Sequence, residues 1–378
     1  MNIVFVCNEL PPAPTGGIGT AVLALSRGLA RKGHNVSVVG VYDRAYGWDE
    51  QGVRVIPVRP QAFRGAGRLL QPLLQQRIMI HVALRRLHSQ TPVDVVEWPD
   101  YQGLFFRRIR GIRDVVRTHG ARFLHRRYGL ATANPLQEAL EVNTLRRVQN
   151  WIGVSAWVVS ELAQVLGVRP TLHTVISNPV DLETFKPASD QSRSAQLVLF
   201  AGRITREKGA HALVKAANDF LPGAPGVRLL LVGLGAPHEV ARLCDVVDPK
   251  LRTRVTIAHA VPQGYLAYLL RDASVFAMPS MFETFGTAWA EAMASGVPVV
   301  GSRLTSGPET VPDGRAGLLA DPHDPGDIAC AVSRLLADPA LRDRMGRAGR
   351  AHAEERFGAA KVVASTIEFY ERCLAASP

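Results

Sequence analysis

Short β-branched runs alternate with stretches of helical period along this chain, and the alternation starts afresh half-way. Parallel strands are buried on both faces and need a crossover to return, so the pattern specifies sheets joined by helices. In the first half Ile3–Cys7, Val36–Val41, Val53–Pro57, Val93–Glu97, Val115–His119 and Trp151–Val154 read as strands. Helices are predicted at Thr20–Lys32, Arg68–His88, Leu136–Asn150 and Ala156–Leu166. Residues Asn178 to Arg193 are rich in Pro, Asp and Ser and read as a linker. Beyond it come strands at Leu197–Ala201, Leu229–Val232, Val255–Ala258, Val275–Met278 and Val297–Gly301, with helices at Ala210–Phe220, Val240–Val247 and Tyr265–Asp272. The end is helical at Pro325–Ala337, Ala340–Arg356 and Ala359–Ala375. The fold class is therefore α/β, with two consecutive doubly wound units. The 378 residues suit two domains. Ligands in such sheets bind outside the carboxyl ends of the strands, so a cleft between the units is where chemistry is expected.

Composition excludes some classes. No segment approaches the roughly 18 uninterrupted apolar residues of a membrane span. Ile3–Cys7 is too short for a signal peptide and has no basic residues before it, so a buried strand is expected there. Cys7, Cys244, Cys330 and Cys373 are scattered without metal or redox spacing, which fits a reducing, cytoplasmic compartment. Charge is uneven. Of the 44 Lys and Arg and 33 Asp and Glu residues, 22 and 11 fall in residues 1–180, leaving 22 of each sign beyond. The formal +11 thus sits wholly in the first half. Either arginine-rich composition or an anionic partner of that half accounts for it. The densest clusters are Arg107, Arg108, Arg110 and Arg113, then Arg122, Arg126 and Arg127. No helix-turn-helix or aromatic-interleaved motif accompanies them, so a nucleic acid is not the expected partner.

Three segments carry the chemistry. Pro11-Pro12-Ala13-Pro14-Thr15-Gly16-Gly17-Ile18-Gly19-Thr20 joins the first strand to the first helix. Its glycines let backbone approach a ligand, and the helix start offers free N–H groups to an anion, although such turns also serve packing alone. Ala201-Gly202-Arg203-Ile204-Thr205-Arg206-Glu207-Lys208-Gly209 opens the second unit. Its cations can clamp a diphosphate or simply face solvent. The third segment runs from Pro279 to Val300, with a loop carrying Glu283 and a helix beginning near Phe285 that holds Glu291. Two carboxylates then flank a helix start, on the order of 10 Å apart at ~1.5 Å per helical residue. That spacing suits one acceptor for hexose hydroxyls and one for ribose hydroxyls, with a diphosphate between.

Together these segments resemble the large family of retaining nucleotide-sugar glycosyltransferases with two Rossmann-like domains, glycosyltransferase family 4. Its pattern is a Gly-Gly loop after strand one, a Gly-Arg…Lys-Gly loop opening the second domain, and Glu-x7-Glu. Ile176-Ser177-Asn178-Pro179-Val180-Asp181 resembles the family's interdomain Pro-Asn-Gly-Val-Asp, and Ala316-Gly317-Leu318-Leu319 its Thr-Gly-Leu-Leu. The resemblance covers nearly the whole chain, best from Val175 to Leu336. Pro179 stands where Gly is usual, His259 where relatives often have Gly, and Ser306-Gly307-Pro308-Glu309 is a looser form of Gly-Gly-x-Pro-Glu.

The resemblance implies the GT-B fold, two facing Rossmann-like domains with a cleft between them. The acceptor-side domain is expected at residues 1–178, joined by the terminal helix 359–378, and the donor domain at residues 179–358. Arg203 and Lys208 are then expected on the donor diphosphate, Glu283 on the transferred sugar and Glu291 on the ribose. Gly16 and Gly17 reach the phosphates, Phe285, Gly286 and Thr287 line the donor, and His119 lies near the reacting sugar. On sequence alone a lone histidine at a strand end is as readily structural.

The activity implied is transfer of a hexose or N-acetylhexosamine, with retention, from a nucleoside-diphosphate sugar to an acceptor hydroxyl of a glycan, glycolipid or small molecule. A UDP-sugar is favoured over a GDP-sugar. No cofactor or essential metal is expected, because Asp321-Pro322-His323-Asp324 reads as a turn before a helix. The rival readings are a nucleotide-sugar epimerase of the same fold and a non-catalytic sugar-nucleotide-binding subunit. The basic first domain leaves room for peripheral contact with an anionic membrane.

Overall fold

The computed structural model describes residues 1–10, 17–44, 46–59, 71–188 and 196–376. It contains two compact units, residues Met1–Pro179 with Ala359–Pro378, and Val180–Gly358.

The first unit is built on strands β1 (Asn2–Val6), β2 (Asn35–Val41), β3 (Trp48–Asp49), β4 (Val53–Val58), β5 (Val95–Pro99), β6 (Arg113–Thr118), β7 (Asn150–Gly153) and β8 (Leu172–Val175). They form one sheet in the order β3-β4-β2-β1-β5-β6-β7-β8. Only β3 is antiparallel to its neighbour. Its helices are α1 (Gly17–Arg31), α2 (Gln71–Gln90), α3 (Arg122–Arg127), α4 (Pro135–Arg147) and α5 (Ala156–Leu166). The central strands are apolar on both faces, as crossover helices require: Ile3, Val4, Phe5 and Val6 of β1 are all buried. Local signals fix the helix ends. Ser155 caps α5 by accepting from the Val158 N–H at 3.2 Å, and Gly167 closes it at φ +61°.

The second unit has β9 (Leu197–Ala201), β10 (Arg228–Val232), β11 (Val255–Ala258), β12 (Val275–Ala277), β13 (Val299–Ser302) and β14 (Gly317–Ala320), all parallel, in the order β11-β10-β9-β12-β13-β14. Its helices are α6 (Ala210–Phe220), α7 (Pro237–Val246), α8 (Gln263–Asp272), α9 (Thr287–Ala294), α10 (Gly307–Thr310), α11 (Pro325–Ala337) and α12 (Pro339–Arg356). A 3-10 turn spans Pro249–Arg254. Among the described residues no helix is long and apolar enough to cross a membrane.

The last helix, α13 (Ala359–Ala375), belongs to the first unit. Val362, Val363, Phe369, Tyr370 and Cys373 enter the core formed by β1, β2 and α1. A polar hub pins this helix to the sheet. Arg117 of β6 and Glu97 of β5, both 3% exposed, pair at 2.8 Å. The Tyr370 hydroxyl donates to Glu97 Oε2 at 2.6 Å, and Arg117 reaches Thr366 Oγ1 at 3.4 Å. Burial opposes charge on Arg117, but the Glu97 carboxylate outweighs it and holds the guanidinium above its ordinary value.

The described part of the expected linker forms no helix or named strand and is packed: Phe185 is fully buried, and Arg350 donates to its carbonyl at 2.8 Å. The edge strands β3, β8 and β14 and the short helices α3 and α10 are absent from the sequence reading.

Removing one partner of a buried ion pair leaves the other charge uncompensated, at ~3–5 kcal/mol. Glu97→Ala is expected to destabilise the protein by about that much. Tyr370→Phe, which removes one hydrogen bond to a charged group, should cost about 1.5–3 kcal/mol. Urea unfolding of the three proteins checks the order, and equal midpoints would discard the hub.

Candidate active site

In the second unit the strand order reverses between β9 and β12, whose chain continuations leave the sheet on opposite sides. The loops after these two strands, Gly202–Gly209 and Met278–Gly286, face each other across that point. Gly209 makes the approach close. It sits at φ +80°, and a Cβ there would lie 2.0 Å from the Pro279 carbonyl oxygen. The Met281 N–H donates to the Glu207 carbonyl at 2.8 Å, and Ser280 Oγ lies 3.4 Å from the Lys208 carbonyl.

That approach sets Lys208 Nζ 2.8 Å from Glu283 Oε1. Both side chains are mostly covered, at 17% and 12% exposure, so the pair is screened less than a surface bridge. Ser280 Oγ is 3.2 Å from the same Glu283 oxygen, and the Glu283 N–H donates to Thr305 Oγ1 at 3.1 Å. Glu207 lies 3.8 Å from Lys208 and also holds Arg203 at 3.3 Å. Arg203 is 57% exposed, and Arg206 is exposed as well.

Two helices start at this place. Both α6 and α9 have a left-handed glycine N-cap, Gly209 and Gly286, and neither has a side-chain cap. In α6 the Ala210 N–H already donates to the Thr205 carbonyl at 3.3 Å, so an incoming anion would meet the N–H groups that follow it, and in α9 those before Trp289. The helix carrying Glu291 begins at Thr287, two residues later than the sequence reading placed it, because Gly286 takes φ +82° and cannot be helical. Phe285 does not offer its side chain: the ring is buried edge-on against Phe357, 5.2 Å between centroids. Glu291 sits on α9 with a hydrogen bond to Gln263 at the start of α8. Burial pushes its carboxyl up to about 7.

In the first unit the strand order reverses between β1 and β5. A small cavity there is lined by Cys7, Ile18, Trp98, Tyr101, Arg117 and His119. His119 follows β6 directly instead of ending it. Its N–H and that of Gly120 donate to the two oxygens of buried Asp100, each at 2.9 Å. Burial, and then the Arg117 charge, lower the His119 ring to about 3, so the imidazole is neutral. Gly17 is the exposed first residue of α1. Gly16 lies outside the described residues.

Ser280, Thr305, Gln263 and Asp100 were not singled out from the sequence. Thr305 carries the one signal that only backbone shows, a positive φ of 54° on a β-branched residue. Among the described residues no three His, Cys, Asp or Glu side chains are grouped as a metal ion requires.

Residues 15–184 match the family model for glycosyltransferase family 4, and residues 182–352 match that for glycosyl transferases group 1. An alpha-maltose-1-phosphate synthase of Mycolicibacterium smegmatis is 30% identical over 403 residues, covering 98% of this chain and 99% of that protein. The chain belongs to glycosyltransferase family 4. A D-inositol 3-phosphate glycosyltransferase of Streptomyces bingchenggensis is 34% identical over 231 residues, 57% of this chain and 50% of that protein. The match thus spans about half the length of that relative. Among solved structures, a sucrose-phosphate synthase from Thermosynechococcus elongatus aligns over all of both chains with TM-score 0.81 at 23% identity. Anabaena HepE in complex with UDP and glucose gives 0.74 at 18%, over 98% of this chain and 99% of that one. These likenesses give the GT-B fold, two parallel-sheet α/β domains.

Gly286 should tolerate no side chain. A Cβ would meet the Trp289 ring at 2.1 Å on top of the backbone strain, which alone costs ~1–3 kcal/mol. Gly286→Ala is expected to lower Tm by several degrees. At Gly264, in the first turn of α8, nothing lies within 4 Å of a Cβ, so Gly264→Ala should hold or raise it. Thermal unfolding distinguishes the two, and equal shifts would refute the packing assigned to Gly286.

Proposed function

We propose that this chain is a retaining glycosyltransferase that moves a hexosyl or N-acetylhexosaminyl group from a nucleoside-diphosphate sugar to an acceptor hydroxyl. The observation that carries the reading is the Lys208–Glu283 pair at 2.8 Å, set between two uncapped helix starts where the strand order reverses. A cation and oriented N–H groups suit a diphosphate, and a carboxylate beside them suits sugar hydroxyls. In this reading the diphosphate lies at the starts of α6 and α9 and draws Lys208 and Arg203 to itself. Glu283, released from Lys208, accepts from the sugar hydroxyls. Glu291 accepts from the ribose.

The bond from the anomeric carbon to the diphosphate oxygen breaks, and its electrons stay on the leaving group. Lys208, Arg203 and the helix N–H groups stabilise that charge as it develops, which is where preorganised donors count most. The acceptor oxygen bonds to the anomeric carbon on the face the diphosphate leaves, giving retention, and its proton passes to the departing diphosphate. For His119 the proposed role is a neutral one, a hydrogen bond to the sugar and no proton transfer. No metal is assigned a step. The solved relatives include HepE with UDP-glucose and a plant starch synthase with ADP and acarbose. For this chain a UDP-sugar is proposed.

A panel of UDP-, ADP- and GDP-sugars, read by mass spectrometry with and without acceptor extracts, tests the activity. Conversion of the donor without acceptor would replace the reading with an epimerase, and no turnover of any donor would end it. Loss of one charge-assisted contact to a buried phosphate costs ~2–5 kcal/mol. Lys208→Ala and Arg203→Ala are therefore expected to lower kcat/KM roughly thirtyfold or more with folding intact, and Arg206→Ala to do little. Near-normal turnover in both clamp variants would remove the assignment.

The carboxylates separate by ligand and by pH. Glu283→Gln should weaken binding of the intact donor more than of the free nucleoside diphosphate, and Glu291→Gln should weaken both. Because burial places the Glu291 carboxyl at about 7, it gains its charge between pH 6 and 8, and hydrogen bonds accepted by the charged form are the stronger. The affinity ratio of wild type to Glu291→Gln should therefore rise with pH over that range, by roughly tenfold at most. Calorimetry with nucleoside diphosphate checks it, and a flat ratio would show that Glu291 does not hold the ribose.

A further inference from the structure

The excess positive charge of the first unit is not uniform once folded. Arg126 and Arg127 pair with Glu138 and Glu161, and Arg122 donates to Thr132. That cluster is held within the protein. In the other cluster Arg108 and Arg113 are also held, donating to the Arg147 carbonyl at 2.9 Å and the Ala376 carbonyl at 2.7 Å, and the difference lies at Arg107 and its neighbour α2. Neither α2 nor residues 101–112 contain an Asp or Glu.

On α2, Leu74, Ile78 and Val82 follow at intervals of four, so they share one face. They are 40%, 46% and 58% exposed. Arg85 extends the same face one turn on, and Arg86 borders it; both are exposed. The segment after β5 is fixed against this helix. Arg77 Nε donates to the Phe105 carbonyl at 3.1 Å, and the exposed Phe106 ring stands edge-on to His81, 5.5 Å between centroids. Arg85 and Arg107 both lie near enough to His81 that, after burial, their charges lower it. An aliphatic stripe, an exposed aromatic ring and a rim of arginines thus form one continuous patch.

We propose that this patch, formed by Leu74, Ile78, Val82, Arg85, Phe106 and Arg107, seats the first unit on an anionic lipid bilayer. A bilayer surface takes both parts at once: the aliphatic side chains enter the headgroup boundary while the arginines stay among the anionic headgroups. A second copy of this chain would set the same arginines against each other. A nucleic acid would leave the aliphatic stripe in water. The proposal stands apart from the transfer reaction, since it uses none of the residues given a role in it.

The test is co-sedimentation of the full chain with vesicles of phosphatidylcholine and phosphatidylglycerol, against phosphatidylcholine alone, at low and high salt. Each arginine near such a surface contributes roughly fivefold to binding. Arg85→Ser/Arg107→Ser should therefore lower partitioning roughly 25-fold, and Ile78→Ser/Val82→Ser at least tenfold. Arg347→Ser, which removes an exposed charge from the second unit, should leave it unchanged. High salt should abolish most of the binding. The proposal falls if the wild type does not pellet with anionic vesicles at low salt, or if both double variants pellet as it does. It also falls if Ile78→Ser/Val82→Ser dissociates a dimer seen by sedimentation in the absence of lipid, which would assign the stripe to a second copy. Donor turnover measured on the same variants should be unchanged in detergent-free buffer, so a failed transfer reaction and a failed membrane contact are told apart.

Discussion

Beyond the paired strands β9 and β12, where the order of the second sheet reverses, the loops that follow the two strands meet. Everything proposed for the site depends on how near they come. Gly209 against the Pro279 carbonyl sets that distance, since any side chain would overlap the oxygen. The same glycine, at positive φ, starts α6 without a side-chain cap. One residue thus brings Lys208 to Glu283 and also sets a helix start beside them. The pair neutralises itself, as two mostly covered opposite charges should. A diphosphate would compete for Lys208 with a greater charge, and the freed carboxylate would need new donors, which a sugar supplies.

The loops do not hold their shape alone. The segment 305–310 braces the second one: Thr305 accepts from the Glu283 N–H, and Thr310 Oγ1 donates to the Phe285 carbonyl at 2.6 Å. Thr305 does this at a φ of +54°, a strained backbone for a β-branched side chain. The strain is sustained by burial around it, with Ser306 and Thr310 both covered. The first unit uses a different device. Buried Asp100 accepts from the N–H groups of His119 and Gly120 and fixes the turn after β6, while the Glu97–Arg117–Tyr370 hub fixes β5, β6 and α13 to one another. The His119 cavity therefore lies between two buried polar anchors, and its imidazole is kept neutral by the same burial that makes those anchors rigid.

Much of the fold was legible because period and punctuation agree. The bounds Ala156–Leu166, Leu197–Ala201, Ala210–Phe220 and Pro325–Ala337 coincide with those read from sequence, since each run is strongly apolar and ended by Ser, Gly, Pro or Asp. What escaped was short or exposed. β8 alternates between partly covered and exposed positions and sits at the sheet edge, so its four residues carry little apolar signal. α3 is Arg-Phe-Leu-His-Arg-Arg, with no capping side chain before it. At the site, the two loops and the two glutamates stood out by residue type and spacing. The contact between Lys208 and Glu283 did not, because it joins residues 75 apart and depends on a glycine's missing Cβ. Gln263 was hidden for the same reason: nothing local says that the start of α8 reaches α9.

Charge shows most clearly what a sequence count leaves open. Two arginine clusters of similar density lie within residues 107–127 and look alike on paper. Folding separates them by what stands opposite. α4 and α5 bring Glu138 and Glu161 to Arg126 and Arg127, so those charges are largely answered by the protein's own. No acidic residue of α2 faces Arg107, and α2 adds Arg85 to the same side. Like charges so placed repel, and the repulsion is tolerated in water only because it is screened within a Debye length. An aliphatic stripe left exposed beside them adds a second cost of the same sign. Two unfavourable features on one face, each relieved by an anionic surface with an apolar interior, are more economically explained by one partner than by two accidents of composition.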